Sequence, residues 1–400
     1  MSLSERPREA RRPHHARPSR TLRPPRPKPG RQGGWRGALL AAALWLGGTR
    51  AAASTVTEPI ARLTLEGGWD SNALYDGKGG DNMGRVSPDL GLLAKDHLWS
   101  LRGSYGGDFL VYQHRASRGV WNQRGGLTLR AQPDPRVKLF GDFKGSYAVD
   151  PIGLARLGVF TPGRRPALIL QGSARATWEA APLLDLSATW AMREARFDDG
   201  TGASTQAPGL EASARLTPRT SLGGAYRFDF FLSATAPKLA TAHELKAIYR
   251  YQLEEELELV AEAGPTLWRG QSGPTILPEG SLTLVAESRR RAFRASARHG
   301  LSLGSLPTPG VTDGLEAGGT TQLGDDFRLK GSAGLWRGGS APFGSNAVVG
   351  YAADAEVSWL VTHETGIGLG VSRFARLDDP SPNLRRTVVG LRFTWELQNR

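Results

Sequence analysis

The C-terminal segment of the chain alternates between apolar and polar residues. In VVGLRFTWELQNR (388–400) every second residue from Val389 to Leu397 is large and apolar, and Arg392 and Glu396 stand among the residues between them. A period of two is the pattern of a β-strand with two unlike faces. Such a strand needs an apolar medium on one face and water on the other.

The same alternation recurs through most of the chain after residue 54, for example in VKLFGDFKGSY (137–147) and LILQGSARATWE (168–179). No segment shows the 3.6-residue period of an amphipathic helix. Tight turns such as QPDPR (132–136) alternate with longer connections rich in Gly, Pro and Asp, such as SNALYDGKGGDN (71–82). From the third tight turn onward the tight turns are about 36 residues apart, which fits two strands of ~10 residues and two unequal connections.

This organisation predicts an all-β fold: a single transmembrane antiparallel β-barrel of about 18 strands over residues 54–400, with short periplasmic turns and longer extracellular loops. The barrel must close, because each unpaired backbone group in hydrocarbon costs several kcal/mol. The segment IARLTLEGGW (60–69) is the predicted partner of the last strand, with Leu65 outward and Glu66 inward. The alternative is a soluble β-sandwich that buries the same apolar face.

Aromatic residues favour the barrel over the sandwich. Seven of the nine tryptophans after residue 53 have the apolar parity of their strands, and several lie beside tight turns or long loops. Amphipathic rings concentrate at the two interfaces of a membrane. The predicted membrane-interface aromatics are Trp69, Trp99, Trp121, Tyr147, Trp178, Trp359 and Trp395.

The charge of the chain is concentrated at its N-terminus. The formal net charge is +13, but residues 1–53 carry twelve Arg or Lys against two Glu, so the remainder is close to +3. The basic stretch leads into the short apolar run GALLAAALWLGG (37–48) and then TRAAAS (49–54). This order is typical of a secretory signal peptide. Residues 1–53 are therefore predicted to be a basic region plus a cleavable signal, and nucleic acid is not an expected partner.

The polar face of the strands carries charges of both signs, and a barrel of this size is wide enough to hold water inside. Two interpretations are compatible: a cross-strand mesh of ion pairs that stiffens the wall, and a hydrophilic lining that lets a polar or anionic polymer slide past without sticking. The predicted lumen-lining residues are Arg102, Arg124, Arg130, Lys138, Asp142, Lys144, Arg175, Arg227, Lys246, Arg250, Glu258, Glu262, Arg328, Lys330, Asp354, Glu356 and Arg392. Inward aromatic residues are expected to be few, with Phe140 the clearest.

The sequence gives little support for catalysis or for cofactor or metal binding. Cysteine is absent, and the histidines after residue 53 show no metal-ligand spacing and no motif with a nucleophile. No catalytic residue, cofactor or metal is therefore expected. His114, in a predicted external loop, is the one histidine that a surface hydrolase could use. The longest loop, around AVDPIGLARLGVF (148–160), is a candidate for folding into the lumen, although an external position is the simpler expectation.

The segment GGWDSNALYD (67–76) is similar to the "DSN" signature near the first strand of outer-membrane barrels from exopolysaccharide and biofilm-matrix gene clusters. The resemblance covers residues 54–400 in architecture and about ten residues in motif. It implies a passive conduit for a polysaccharide, working with a periplasmic polysaccharide-export protein and an inner-membrane copolymerase. Outer-membrane lipid and the barrel-assembly machinery are further expected partners, in a Gram-negative bacterium.

Three functions therefore stay open at this point. The first is a passive channel that secretes a polysaccharide across the outer membrane. The second is a general or solute-selective diffusion porin. The third is a surface-anchored enzyme or a structural anchor.

Overall fold

The computed structural model of the chain describes residues 55–73, 79–114, 119–148, 166–233, 240–270, 273–303, 309–338, 348–378 and 384–398. The predicted leader, residues 1–53, and the loop at 149–165 that was a candidate for folding inward lie outside the described residues. Among those that are described, no helix is long and apolar enough to cross a membrane.

The described residues form one sheet of 18 strands. The strands are β1 Val56–Asp70, β2 Asp81–Lys95, β3 Trp99–Tyr112, β4 Val120–Asp134, β5 Val137–Ala148, β6 Ala167–Ala181, β7 Leu184–Phe197, β8 Gly202–Thr217, β9 Thr220–Ser233, β10 Ala240–Glu254, β11 Leu257–Gly270, β12 Gly273–Glu287, β13 Arg291–Leu303, β14 Pro309–Leu323, β15 Phe327–Gly338, β16 Val348–Leu360, β17 Thr365–Arg376 and β18 Arg385–Gln398.

Each strand pairs antiparallel with the next, and β1 pairs with β18, so the sheet is a closed barrel. The closing register runs from Ile60 opposite Gln398 to Asp70 opposite Val388. The prediction of a closed antiparallel barrel of about 18 strands, with the first and last strands as partners, is confirmed. Strands joined by tight turns meet at what we call the tight-turn end of the barrel, and the other end is the long-loop end.

The outer face of the barrel is apolar and exposed. Along the closing pair, Leu65 stands opposite Phe393, and the side chains of both are 42% exposed. Leu245 on β10 and Ile276 on β12 are more exposed still, at 60% and 72%. A soluble sandwich would bury this face, so that alternative is wrong for this chain.

All seven predicted interface aromatics lie on strands with outward parity or at the end of one. Trp178 and Trp359 are about half exposed, and Trp99 and Trp395 are partly covered. Trp69 and Trp121 lie toward the long-loop end, where the Trp121 ring contacts Phe109 at a centroid distance of 6.2 Å. Their position at a membrane interface stays a prediction.

The inner face is filled at the long-loop end. Phe374 on β17 is 1% exposed and packs with Trp336 of β15, and Phe231 of β9 packs edge-on against Trp268 of β11 at 5.2 Å. The expectation that inward aromatics are few is therefore wrong. Three of these rings, Phe231, Trp268 and Trp336, come second in apolar doublets at strand ends, such as Phe230–Phe231 and Leu335–Trp336, which place one large residue on each face. Phe374 instead follows Arg373.

The end of β13 leaves the wall of the barrel. Pairing between β12 and β13 stops at Gly280 opposite His299, whereas β13 continues to pair with β14 as far as Leu303. Beyond that point Leu301 is buried against Phe231 and Trp268 of the inner face, and β13 contacts β8 although four strands separate them in the sheet. The joined ends of β13 and β14, residues 300–303 and 309–312, thus lean into the lumen. We call them the inward hairpin end.

Candidate functional site: the barrel interior

The tight-turn half of the interior presents exposed charged groups. Arg328 and Lys330 of β15 stand on the inner face opposite Ser358 and Glu356, and both are exposed. Lys138, at the start of β5, is also exposed. Charges that keep their water need no partner to stay ionised. This half of the interior is therefore wet and bears charges that a solute can meet.

An ion-pair mesh crosses the middle of the interior. Arg124 binds Asp89 at 2.7 Å and Asp108 at 2.9 Å. Glu211 of β8 accepts from Arg175 at 2.8 Å and from Arg250 at 2.7 Å, although each arginine lies two strands away. Charged side chains can reach across an intervening strand because side chains on the concave inner face point toward the barrel axis and so approach one another. The pairs of Glu211 with Arg175 and Arg250, and of Arg124 with Asp89, join strands that share no backbone hydrogen bonds.

The same mesh bridges the closing seam between β1 and β18. Glu66 binds Arg85 at 3.0 Å and Arg392 at 3.1 Å, and Arg392 also binds Glu356. To reach Glu356 of β16, the Arg392 side chain passes over Gly370 of β17, where a Cβ would lie 3.0 Å from its Cζ. A side chain at Gly370 would block this route, so the glycine permits the bridge.

A second contact locks the seam at the long-loop end. The Asp70 carboxylate accepts hydrogen bonds from Nε of Arg386 at 2.9 Å and from Nη2 of Arg386 at 2.7 Å. The Tyr112 hydroxyl donates to the same carboxylate at 3.1 Å. The side chains of Asp70 and Arg386 are 0% and 2% exposed. Next in the chain, Ser71 Oγ accepts from the Thr387 amide at 2.7 Å. Together with the side-chain amide of Asn72, which donates to the Arg385 carbonyl at 2.9 Å, we call this cluster the seam latch.

The seam latch gives the DSN segment a structural role. Asp70, Ser71 and Asn72 are the three letters of the segment that resembles exopolysaccharide barrels, and each of them binds β18. Their contacts close the barrel at its long-loop end. No signal short of the tertiary structure could identify Arg386 as the partner, because 316 residues separate it from Asp70.

The inward hairpin end is held by a buried carboxylate. Glu279 of β12 accepts the backbone N–H of Leu301 at 2.8 Å and binds Lys246 at 3.2 Å. Lys246 also binds Glu244 at 2.8 Å, and Glu244 in turn accepts from Arg227. Sequence analysis missed Glu279, since a single glutamate of inward parity does not reveal that a neighbouring strand will leave the wall.

The remaining predicted lining residues lie on the inner face with varied surroundings. Asp142 accepts from Thr128 at 2.9 Å and pairs with Lys144 at 2.8 Å. Asp354 accepts from Ser332 at 2.5 Å. Arg102 and Arg130 are exposed, and Glu258 and Glu262 are partly buried. Contact of any of these side chains with a transported molecule stays a prediction.

In the described ranges, two acid–histidine pairs lie toward the long-loop end, His114 with Asp81 and His299 with Asp313. The Nδ1 atom of His114 is 2.9 Å from Oδ1 of Asp81, and the His114 side chain is 74% exposed. Within the described part of the chain, no hydroxyl group is hydrogen-bonded to His114. The described residues also include no group of three or more His, Asp or Glu side chains arranged to hold a metal ion.

No protein-family model and no curated protein matches the chain. Its fold is similar to crystal structures of OpdQ from Pseudomonas aeruginosa, with 9% identity, 86% of this chain and 98% of that chain covered, and a TM-score of 0.43. It is also similar to a BenF-like porin from Pseudomonas fluorescens Pf-5, with 11% identity, 86% of this chain and 99% of that chain covered, and a TM-score of 0.44. A third similar structure is the siderophore receptor PirA from Pseudomonas aeruginosa, with 9% identity, 85% of this chain and 80% of that chain covered, and a TM-score of 0.40. Likenesses this distant define no substrate or mechanism, so the function has to be derived from the chain's own geometry.

Proposed function

We propose that the chain is a channel protein of a Gram-negative outer membrane. The observation that carries the proposal is the closed ring of strands, whose exposed outer face is apolar and whose inner face is charged. In hydrocarbon all backbone groups must pair within the protein, and a closed barrel meets that demand. The alternation of faces matches barrels that separate lipid from a polar interior.

We further propose that the channel conducts small polar or charged solutes, which was the second of the three functions derived from the sequence. The inward hairpin end and the aromatic residues around Phe374 and Trp268 occupy the long-loop half of the interior. A passage narrowed in this way favours solutes over a hydrated polymer. The exposed charges of the tight-turn half, such as Lys330, then meet a solute on its way to the periplasm.

A polysaccharide conduit is the weaker proposal. Its motif support came from the DSN segment, and the contacts of that segment with β18 account for its residues without any substrate. The periplasmic export protein and the copolymerase belong to the same weaker proposal, since they were implied by that resemblance.

The two proposals are separated by a pair of measurements. Purified protein in planar bilayers is expected to give discrete conductance steps, and in liposomes it should admit small sugars or amino acids and exclude oligosaccharides. Deletion of the gene should slow solute uptake and leave surface polysaccharide unchanged, with the complemented strain as control. Loss of surface polysaccharide with normal solute uptake would instead favour the conduit. Absence of any conductance from correctly folded protein would remove both.

A further inference from the structure

The outer face around β13–β16 contains two adjoining apolar grooves, with volumes of about 630 and 620 Å³. The first extends to β17 and β18, and the second to β11 and β12. Arg291 and Phe293 line the first groove at its tight-turn end, and Leu335 and Tyr351 line the second toward the long-loop end. The two grooves adjoin on β15 and β16. Gly331 and Ala355 line the first groove, and Ala333 and Ala353, two residues away along the same strands, line the second.

Small residues in register produce the grooves. Gly319, Gly331 and Ala355 stand opposite one another on β14, β15 and β16, and the next outward row is Ala317, Ala333 and Ala353. Leu329 and Val357 lie on the tight-turn side of these rows, and Leu315, Leu335 and Tyr351 lie on the long-loop side. Phe293 of β13 stands opposite Gly319 at one end of the first row. Leu369 of β17 also lines the first groove, and outward positions farther from the grooves include large side chains such as Leu245 and Leu391.

Positive charge stands at the tight-turn mouth of the grooves. Arg291 lines the first groove, and Arg289 and Arg290 precede it in the turn between β12 and β13. Arg290 pairs with Asp325 at 3.2 Å, both side chains being well exposed. Across the part of the chain that the structure describes, Arg289 and Arg291 form no ion pair, although Asp325 and Asp326 lie in the neighbouring turn.

We propose that this surface binds a phospholipid with an anionic headgroup from the periplasmic leaflet of the outer membrane. An acyl chain lies in the grooves over Ala333 and Ala355, and the phosphodiester receives hydrogen bonds from the guanidinium groups of Arg289 and Arg291. Guanidinium groups suit phosphate oxygens because they can donate in pairs. Bulk lipid is as apolar as the groove, so preference arises from close packing and headgroup charge.

The proposal rests on the outer-membrane placement proposed above and adds one lipid class at one site. Lipid retention can be measured without any channel assay, so the two proposals fail separately. Solute conductance with no preferred lipid would overturn this proposal alone.

The test compares the wild type with two variants after reconstitution in vesicles of mixed phosphatidylglycerol and phosphatidylethanolamine. The R289Q/R291Q variant removes the headgroup contacts, and the A333L/A355L variant fills the groove with side chains that suit a lipid-facing wall. R219Q, in the tight turn before β9, and A212L, on the outer face of β8, are the matched controls. Bound lipid is quantified by native mass spectrometry, and folding is checked by resistance to denaturation in cold detergent.

Wild-type protein is expected to retain phosphatidylglycerol in excess over its share of the vesicle. R289Q/R291Q should lower this preference by about fivefold for each arginine removed, the order expected of one basic residue at an anionic lipid surface. A333L/A355L should lose the bound lipid of both kinds, and the two controls should match the wild type. Equal retention in all five proteins would overturn the proposal. So would a wild-type dimer that A333L/A355L dissociates, because a second copy would then occupy the surface.

Discussion

The two halves of the barrel interior have the same alternating pattern in sequence and different physical states. Near the tight turns, Lys138, Arg328 and Lys330 are exposed. Near the long loops, Asp70 and Arg386 are buried as a two-point ion pair. Water stabilises the first set, whereas the second set needs partners because removing one member leaves an uncompensated charge. Alternation thus identifies the inner face without revealing whether that face is wet.

The largest effect is expected at the seam latch. Replacement D70A should lower the free energy of unfolding by about 3–5 kcal/mol, because Arg386 is left buried without its carboxylate. The measurement is the urea midpoint of the folded barrel, followed by its altered gel mobility. The control is E58Q, which breaks the more exposed pair of Glu58 with Lys95 and should cost less than about 1 kcal/mol. If both variants unfold at the same urea concentration, the two halves do not differ in the way described.

A smaller effect on stability and a larger one on conductance are expected at Glu279. Replacement E279A removes the acceptor of the Leu301 amide and should cost about 1–3 kcal/mol. With that bond lost, the inward hairpin end can move toward the wall, so single-channel conductance should rise. E255A, in the tight turn between β10 and β11, is the control and should leave conductance near the wild-type value. A folded E279A barrel with unchanged conductance would show that the inward hairpin end does not limit the passage.

The smallest effect on folding is expected in the wet half. The double replacement R328Q/K330Q should change the free energy of unfolding by no more than about 0.5 kcal/mol, since both side chains are exposed. Loss of two positive charges from the inner wall should shift the reversal potential in a salt gradient toward cation preference. R219Q, outside the lumen, should not shift it. Unchanged selectivity in R328Q/K330Q would mean that permeating ions do not pass close to β15.

The DSN segment shows how little a short motif says about function when its residues also have a structural role. Asp70 has inward parity, which the alternation in β1 predicts, and the resemblance linked the segment to polysaccharide export. In the folded chain all three residues bind β18 and close the ring. A motif at the end of the first strand of any closed barrel lies beside the last strand. Its residues can therefore be required for the contacts that close the barrel, whatever the barrel transports.

The alternation along the chain was enough to assign the two faces and to predict that the barrel closes. The period of two assigned Leu65 and Phe393 to one face and Glu66 and Arg392 to the other, and the count of turns predicted the number of strands. This worked because side-chain direction in a strand is a local property of the backbone. The folded structure was needed to show that β13 leaves β12 after His299, that Glu279 holds it there, and that Arg386 binds Asp70. Those features depend on contacts between residues far apart in the chain. A local sequence pattern does not predict which distant side chains will contact each other inside the barrel.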